Sequence, residues 1–398
     1  MKRHITLLAL DTATRNTGYC VFENGKIIKT GVISTKAKEP LDASFVNRII
    51  DRFKNPMRLL MNPGPVVYYI ALETVDFIFR LDHSEFGTGG IMGNEKRIDN
   101  SSLKENGDVG KKEYATHART FEGYKWYKPL LVALLTFAFM GVLEFLLFGV
   151  VAIYSIAVGD NIRDIIDGMR NGFDSLDAYT VQGALISLGS IAMVVPALFL
   201  ATKIIRYRPF GSYISLADKW RMKPFLICFL VSVIAVGIPN MIQIILTSEN
   251  THTIRFTVLG FILCILLVPL QSLAEEFLFR SLVMQTFGGW IKISVVAIII
   301  QAVLFSLLHP YSIFGVIEVL FAGLIMGFTA HLTGGIEAGA AVHMVANLSI
   351  YILNGFGFKS IKTNVSISGV ITALVLYSVF FAAILILKKK TKLFRVSD

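Results

Sequence analysis

The chain has 398 residues, of which 54% are hydrophobic and 17% charged, and its mean hydropathy is +0.63. This composition, with apolar runs close to the length of a membrane helix, excludes an ordinary soluble globular protein. The formal net charge of +10 could suggest a nucleic-acid partner, but the basic residues cluster beside the apolar runs, as they do when they set membrane orientation, which argues against one.

Residues 1–86 predict a small, partial α/β segment. ITLLALDTATRNTGYCVF is typical of strand, turn and strand, and GKIIKTGVIS continues as a third strand. ASFVNRIIDRFKNPMRLL has helical periodicity, and VVYYIALETVDF is typical of a buried strand. Residues 87–123 are rich in Gly, Asn, Lys, Glu and Asp, so they predict a disordered linker.

Two acids follow predicted strands in this N-terminal segment. Asp11 lies in LALDTATRNTGYCVF and Glu73 in YIALET. Both stretches resemble the first half of a ribonuclease H-like nuclease, the Holliday-junction resolvase branch in particular, where such acids hold divalent metals beside the scissile phosphate. The later strands and acids of that family are missing here. We therefore interpret residues 1–86 as a truncated segment without nuclease activity, either a remnant or the product of a fusion.

Eight apolar runs follow, each near the ~20 residues that a helix needs to cross a bilayer. They cover residues 129–153, 181–202, 224–246, 254–275, 291–309, 312–332, 336–354 and 365–387. The sequence therefore predicts an all-α polytopic membrane bundle of about eight transmembrane helices. We place this domain at residues 124–390 and a cytoplasmic tail at residues 391–398.

The charges between the runs predict orientation. The loop after the first run is acidic, whereas the next loop and the tail are basic. The basic residues of that loop and tail are Lys203, Arg206, Arg208, Lys219, Arg221, Lys223, Lys388, Lys389, Lys390, Lys392 and Arg395. Because positive residues mark the cytoplasmic side, we expect a multi-pass protein of the cell membrane with both termini cytoplasmic.

The stretch LAEEFLFR places charged residues inside an otherwise apolar region. Glu276 and Arg280 are four residues apart, so they share one helix face and should form an ion pair. Glu275 lies about 100° further round the helix and cannot share that partner easily. Ionisable residues at membrane depth are costly, so they are kept mainly for function. Glu275 is therefore a candidate general base.

Two further apolar runs carry polar residues. His309 ends FSLLH, and His343 and Asn347 lie four residues apart in HMVAN. Each of them alone fits a hydrogen-bonded packing residue as well as a catalytic one. Three polar sets on three separate runs each oppose insertion into the membrane, and together they indicate a functional site.

EEFLFR, FSLLH and HMVAN match, in order, the EExxxR, FxxxH and HxxxN/D motifs of the CPBP family, and residues 124–387 resemble that family. It comprises intramembrane endopeptidases similar to type II CAAX prenyl proteases, and bacterial members linked to bacteriocin processing and self-immunity. The resemblance implies a peptide hydrolase acting on a peptide or small protein at the lipid bilayer. It also implies that Glu276 and Arg280 hold the helix and tune Glu275.

The remaining roles come from the same resemblance. Glu275 with His309 would activate a water, and His343 and Asn347 would donate to the developing oxyanion. Zinc held by Glu275, His309 and His343 stays open as an alternative, because a carboxylate and two imidazoles also suit that metal. We favour the site without metal. A non-catalytic immunity or scaffold protein of the same architecture is the second functional hypothesis.

The depths of the candidate residues present a difficulty. In a simple up-and-down layout Glu275 lies near the cytoplasmic end of its span, and His309 lies near the outer end of the next. The two can meet only if the helices are offset in depth. A chain break at Gly288-Gly289-Trp290, with part of 277–292 folded back at the interface, is one expectation.

Overall fold

The computed structural model describes residues 5–13, 16–23 and 26–34 as backbone, and residues 113–160, 166, 177–247, 253–309, 311–358 and 367–395. The chain divides into two units, Met1–Gly64 and Pro65–Asp398. Each unit is described by itself.

The first unit contains a three-stranded antiparallel sheet of β1 (Ile5–Ala13), β2 (Asn16–Glu23) and β3 (Lys26–Ser34), in that order. These are the three strands that the sequence predicts. The helix predicted at 43–60 and the strand at 66–77, with Glu73, lie outside the described residues. The partial α/β segment as a whole therefore stays a prediction.

The second unit is helical, and its described residues hold eight main helices. They are α1 (Lys128–Val158), α2 (Val181–Ile205), α3 (Met222–Thr247), α4 (Val258–Ile291), α5 (Ser294–Leu307), α6 (Ile313–Thr333), α7 (Glu337–Gly355) and α8 (Ile367–Lys390). Each of them overlaps one of the predicted apolar runs. Short π-helical segments interrupt three of the helices, at Leu185–Gly189, Val233–Gly237 and Phe277–Val283.

Six of these helices, α1 to α4, α6 and α8, are long and apolar enough to cross a membrane. The outer face is strongly apolar; Phe145 of α1, for example, is 71% exposed. The apolar helix α5 is shorter, and α7 is rich in alanine and glycine. A multi-pass membrane protein is therefore supported, whereas the count of eight spans and the cytoplasmic position of the termini stay predictions.

Helix α4 differs from the prediction in its length. It runs for 34 residues, or about 51 Å, and continues through Gly288 and Gly289 to Ile291. The expected break there is wrong, because the chain reverses only at Lys292, in the left-handed conformation at φ 65°. Gly288 instead allows the backbone at Ala115 to lie close to α4, since an added Cβ would be 2.0 Å from the Ala115 carbonyl oxygen.

The length of α4 resolves the difficulty of depth. Glu275 and Glu276 lie midway along this helix and not at its end. Helix α5 turns back at once, and Glu276 is as far in sequence before Ile291 as His309 is after Ser294. In an antiparallel hairpin of helices, these residues come to the same level. The edge-to-face contact of Phe279 with Phe305, 4.9 Å between ring centroids, marks that level.

Residues 113–123 correct the last part of the predicted disordered linker. Tyr114–Thr120 form a 3₁₀ helix whose Tyr114, Ala115 and Ala118 are fully buried. These residues pack against the end of α4. The polar composition of 87–123 as a whole does not reveal that its last part is buried. The earlier part of the linker lies outside the described residues.

Candidate active site

The candidate site begins with the predicted ion pair on α4. Arg280 Nη1 lies 3.2 Å from Glu276 Oε1, and both side chains are fully buried. The Cζ atom of the same guanidinium lies 4.4 Å from the ring centroid of Phe305 on α5. The prediction of this pair is confirmed. The Arg280 nitrogens have no hydrogen-bond partner among the described residues, so the carboxylate and the aromatic face are its main compensation.

His343 of α7 lies between the two glutamates. Its Nδ1 atom is 2.9 Å from Glu276 Oε1, and its Nε2 atom is 3.3 Å from Glu275 Oε2. A carboxylate oxygen accepts, so Nδ1 carries the proton that it donates to Glu276. Glu276 therefore fixes the orientation of the imidazole and directs Nε2 towards Glu275.

Asn347 lies one turn further along α7 and meets the turn of α4 before Glu275. Its Nδ2 atom donates to Gln271 Oε1 at 3.2 Å and to Ser272 Oγ at 3.1 Å. Gln271 Nε2 in turn donates to Glu275 Oε1 at 2.6 Å. Helices α4 and α7 are antiparallel here. Asn347, which follows His343 on α7, therefore lies beside Gln271, which precedes Glu275 on α4. One buried chain of polar contacts thus runs from Asn347 to Arg280.

His309 closes the site from the end of α5. Its Nδ1 atom lies 2.8 Å from the carbonyl oxygen of Phe305, which can only accept, so Nδ1 carries a proton. In the neutral ring, Nε2 is then the basic nitrogen. The Phe305 ring packs at 4.7 Å from the His309 ring and 5.9 Å from the His343 ring. The Phe305 ring thus lies beside both histidines.

Two residues of the site were missed by the sequence analysis. Gln271 lies four residues before Glu275, which is the signal that could have found it, because the two share a face of α4. Gly339 lies four residues before His343, and a Cβ there would lie 2.7 Å from Glu276 Oε2. Small residues at helix interfaces in membranes allow such close approach. Glycine at this position makes room for the Glu276 carboxylate.

The formal charges of the site depend on His343. Glu275 and Glu276 carry two negative charges when both are ionised, and Arg280 carries one positive charge. An imidazolium at His343 would make the buried set neutral and would donate to both carboxylates. Uncompensated charge in an apolar interior is costly, so this balance favours a charged His343 as long as both glutamates are ionised.

The zinc alternative needs three protein ligands around one point. Among the described residues, no three His, Cys, Asp or Glu side chains are grouped in this way. Glu275 and His343 are neighbours, but His343 uses its second nitrogen for Glu276, and His309 is not brought into one ligand set with them. The side chains as placed do not fit a three-ligand zinc site.

The fold and the site define a helical, multi-pass membrane protein. Its buried polar residues lie midway along α4 and contact α7. Residues 253–349 match the family described as Type II CAAX prenyl endopeptidase Rce1-like. The matched range contains all six predicted site residues, Glu275, Glu276, Arg280, His309, His343 and Asn347.

A curated relative also matches part of the chain. The "Uncharacterized protein YyaK" of Bacillus subtilis (strain 168) is 29% identical over 168 residues, which are 39% of this chain and 55% of that protein. The chain therefore spans about half the length of the curated relative that it matches. No solved structure gives a significant match. These matches lend no support to the ribonuclease H-like resemblance of residues 1–86.

Proposed function

We propose that the chain is an intramembrane endopeptidase that hydrolyses a peptide bond in a membrane-associated peptide or small protein. The observation that supports this proposal best is the buried polar chain from Asn347 to Arg280. It joins residues of α4 and α7 at one level, with His309, two residues past the end of α5, held against Phe305 of that helix. All of these residues fall in the stretch that resembles CAAX prenyl endopeptidases.

Water activation is assigned to Glu275 and His309. Glu275 Oε2 is buried, and the polar atom that approaches it is His343 Nε2, at 3.3 Å. When the His343 Nε2–H turns from Glu275 to the substrate, this oxygen can take a proton from water, while His309 Nε2 can accept from the same water. The hydroxide then attacks the scissile carbonyl carbon, the C–N bond breaks, and the abstracted proton passes to the leaving amine.

Stabilisation of the oxyanion is assigned to His343 and Asn347. A protonated His343, held at Nδ1 by Glu276, has an Nε2–H that can turn from Glu275 to the developing oxyanion. The Asn347 amide donates to Gln271 and Ser272, so its predicted donation to the oxyanion requires an exchange of these partners when substrate binds. Glu276 and Arg280 position the histidine and keep the region neutral.

The test is the Glu275→Gln variant of the full chain, purified in detergent and reconstituted in vesicles. The substrates are a library of hydrophobic peptides and a farnesylated peptide that ends in a CAAX sequence, with cleavage followed by mass spectrometry. We expect the parent to cleave one of these sets and the variant to lose at least about 100-fold in rate, since general-base catalysis contributes ~10²–10⁴-fold.

The matched control is Glu144→Gln, which removes another carboxylate inside a predicted span but outside the polar chain. This variant should keep the parental rate. Cleavage by Glu275→Gln at the parental rate would remove Glu275 as the base. A folded parent that cleaves neither set would favour the non-catalytic immunity or scaffold hypothesis.

A further inference from the structure

A second buried polar cluster begins at the next residue of α4 after Arg280 and extends towards the end of the bundle where α2 and α4 finish. It joins the segment before α1, the loop after α2 and the last turns of α4. Tyr114 Oη and Ser281 Oγ both donate to the carbonyl oxygen of Tyr213, each at 2.5 Å. Arg208 lies at the centre of this cluster and is only 2% exposed.

Arg208 is a buried cation whose contacts with described side chains are all with uncharged groups. Its guanidinium stacks 3.5 Å from the centroid of the Tyr213 ring and lies 5.4 Å from that of Tyr207. Its Nη1 atom donates to Gln285 Oε1. Among the described side chains, no acid forms an ion pair with it. A buried charge with neutral partners alone is strongly disfavoured.

The groups around Arg208 do not supply the missing negative charge. Burial raises the pKa of the Tyr207 phenol well above its ordinary value, so this ring stays neutral. Burial likewise raises the pKa of Tyr114. Two acids at this end of the bundle are engaged elsewhere: Glu337 forms a 2.7 Å ion pair with Arg221, and Asp218 lies 3.4 Å from a nitrogen of His117.

Three buried donors of this cluster have no acceptor among the described residues: Arg208 Nε, Gln285 Nε2 and Tyr124 Oη. The first two belong to side chains that are already hydrogen-bonded to each other. Tyr124 Oη approaches the same face of α4 one turn later, where a Cβ on Gly289 would lie 2.7 Å from it. Buried donors on neighbouring turns of α4 that have no acceptors call for an anion that accepts from them.

The position of the cluster favours a lipid as the source of that anion. Trp290 Nε1 donates to the carbonyl oxygen of Trp126 at 2.6 Å, and both indoles are partly exposed beside the cluster. Tryptophan is typical of the membrane–water interface. The same end of the bundle carries the basic loop and tail residues named above, which attract anionic headgroups.

We propose that Arg208, Gln285 and Tyr124 form a site for the phosphate oxyanion of an anionic phospholipid headgroup. Arg208 supplies the positive charge and a planar donor edge, which suits a phosphate better than a lysine would. Gln285 and Tyr124 donate to the remaining oxygens. The ligand would tie together the segment before α1, the loop after α2 and the end of α4.

The experiment measures the thermal unfolding midpoint of the delipidated full chain in detergent during titrations. The probes are short-chain phosphatidylglycerol, short-chain phosphatidylcholine and inorganic phosphate. We expect a saturable rise with phosphatidylglycerol, because a ligand that binds only the folded state stabilises it. Arg208→Lys should raise the apparent dissociation constant about tenfold or more, as expected for the loss of one charge-assisted hydrogen bond.

Tyr124→Phe keeps the proposal testable if Arg208→Lys does not fold. Without lipid it should be at least as stable as the parent, because it removes a buried donor that has no acceptor. With phosphatidylglycerol it should gain less than the parent. Arg255→Lys is the matched control: that arginine also stacks on a tyrosine, Tyr179, but it is paired with Asp177 at 3.0 Å. Its titration should equal that of the parent.

Four outcomes would overturn the proposal. One is a phosphatidylglycerol response that is equal in the parent, Arg208→Lys and Tyr124→Phe. Another is a parent that shows no saturable response. An equal response to inorganic phosphate at the same concentration would replace the lipid by a soluble phosphate, and an equal response to phosphatidylcholine would remove the preference for an anionic headgroup.

Discussion

Replacing Glu276 with glutamine removes the carboxylate that faces both Arg280 and His343. Arg280 is fully buried, and Glu276 Oε1 is 3.2 Å from its Nη1 atom. No other carboxylate among the described residues forms an ion pair with this guanidinium. The glutamine therefore leaves a buried positive charge without its counter-charge, and it also takes the charged acceptor away from His343 Nδ1.

The size of the effect follows from the 3.2 Å separation. Two unit charges at that distance attract by about 5 kcal/mol at an effective dielectric constant of about 20. Removing one partner of a buried pair costs about 3–5 kcal/mol in measured cases. A typical protein has only about 5–15 kcal/mol of stability. Glu276→Gln should therefore reduce the yield of folded protein and lower its unfolding midpoint substantially.

The assay is a denaturant titration of Glu276→Gln, Arg280→Met and the double variant, with Glu275→Gln as a neighbouring control. We expect the double variant to be more stable than Glu276→Gln, because no charge is left unpaired. Glu275→Gln should fold normally, since the Glu276–Arg280 pair stays intact. A stable but inactive Glu276→Gln would refute this reasoning and give Glu276, not Glu275, the catalytic role.

Three further changes test other parts of the site. Gln271→Leu removes the hydrogen bond to the proposed base, so kcat should fall about tenfold or more with little change in KM; an unchanged kcat would argue against a positioning role. Gly339→Ala places a methyl group 2.7 Å from Glu276 Oε2 and should cost about 1–3 kcal/mol in a denaturant titration, whereas an unchanged midpoint would contradict this close approach. Elemental analysis of the parent, His309→Ala and His343→Ala should find no stoichiometric zinc, with parental activity kept in a chelator; one zinc per chain in the parent and none in either variant would reverse our view of the site.

The sequence predicts where the helices lie because long apolar runs report directly on burial in lipid. It fails at α4 for a physical reason. Glu275, Glu276 and Arg280 look like the polar end of a span, yet the helix continues to Ile291 because these charges are compensated inside the bundle. Hydropathy counts residues one at a time, so it cannot register a charge that is neutralised by another helix.

The candidate site, like the helices, is predicted from the sequence only in part. The motifs identify the six residues, and helical spacing predicts the Glu276–Arg280 pair. Helical spacing within one helix cannot predict that Asn347 contacts Gln271. That contact depends on the register of α7 against α4, which is set by packing at small residues such as Gly339. Gln271 escapes notice because a single glutamine in an apolar helix has no signature of its own.

The π-helical segment Phe277–Val283 sets the angular phase between the two halves of α4. Its wider turn is equivalent to one residue inserted into an α-helix. Gln271 and Glu275 on the first half meet α7, whereas Ser281 and Gln285 on the second half meet the Tyr213 loop. Deletion of one residue from this segment, Leu278 for example, would restore an α-helical register and rotate one half against the other by about 100°. Only one of the two polar clusters could then keep its partners, so the inserted residue couples the position of the candidate active site to that of the Tyr213 loop.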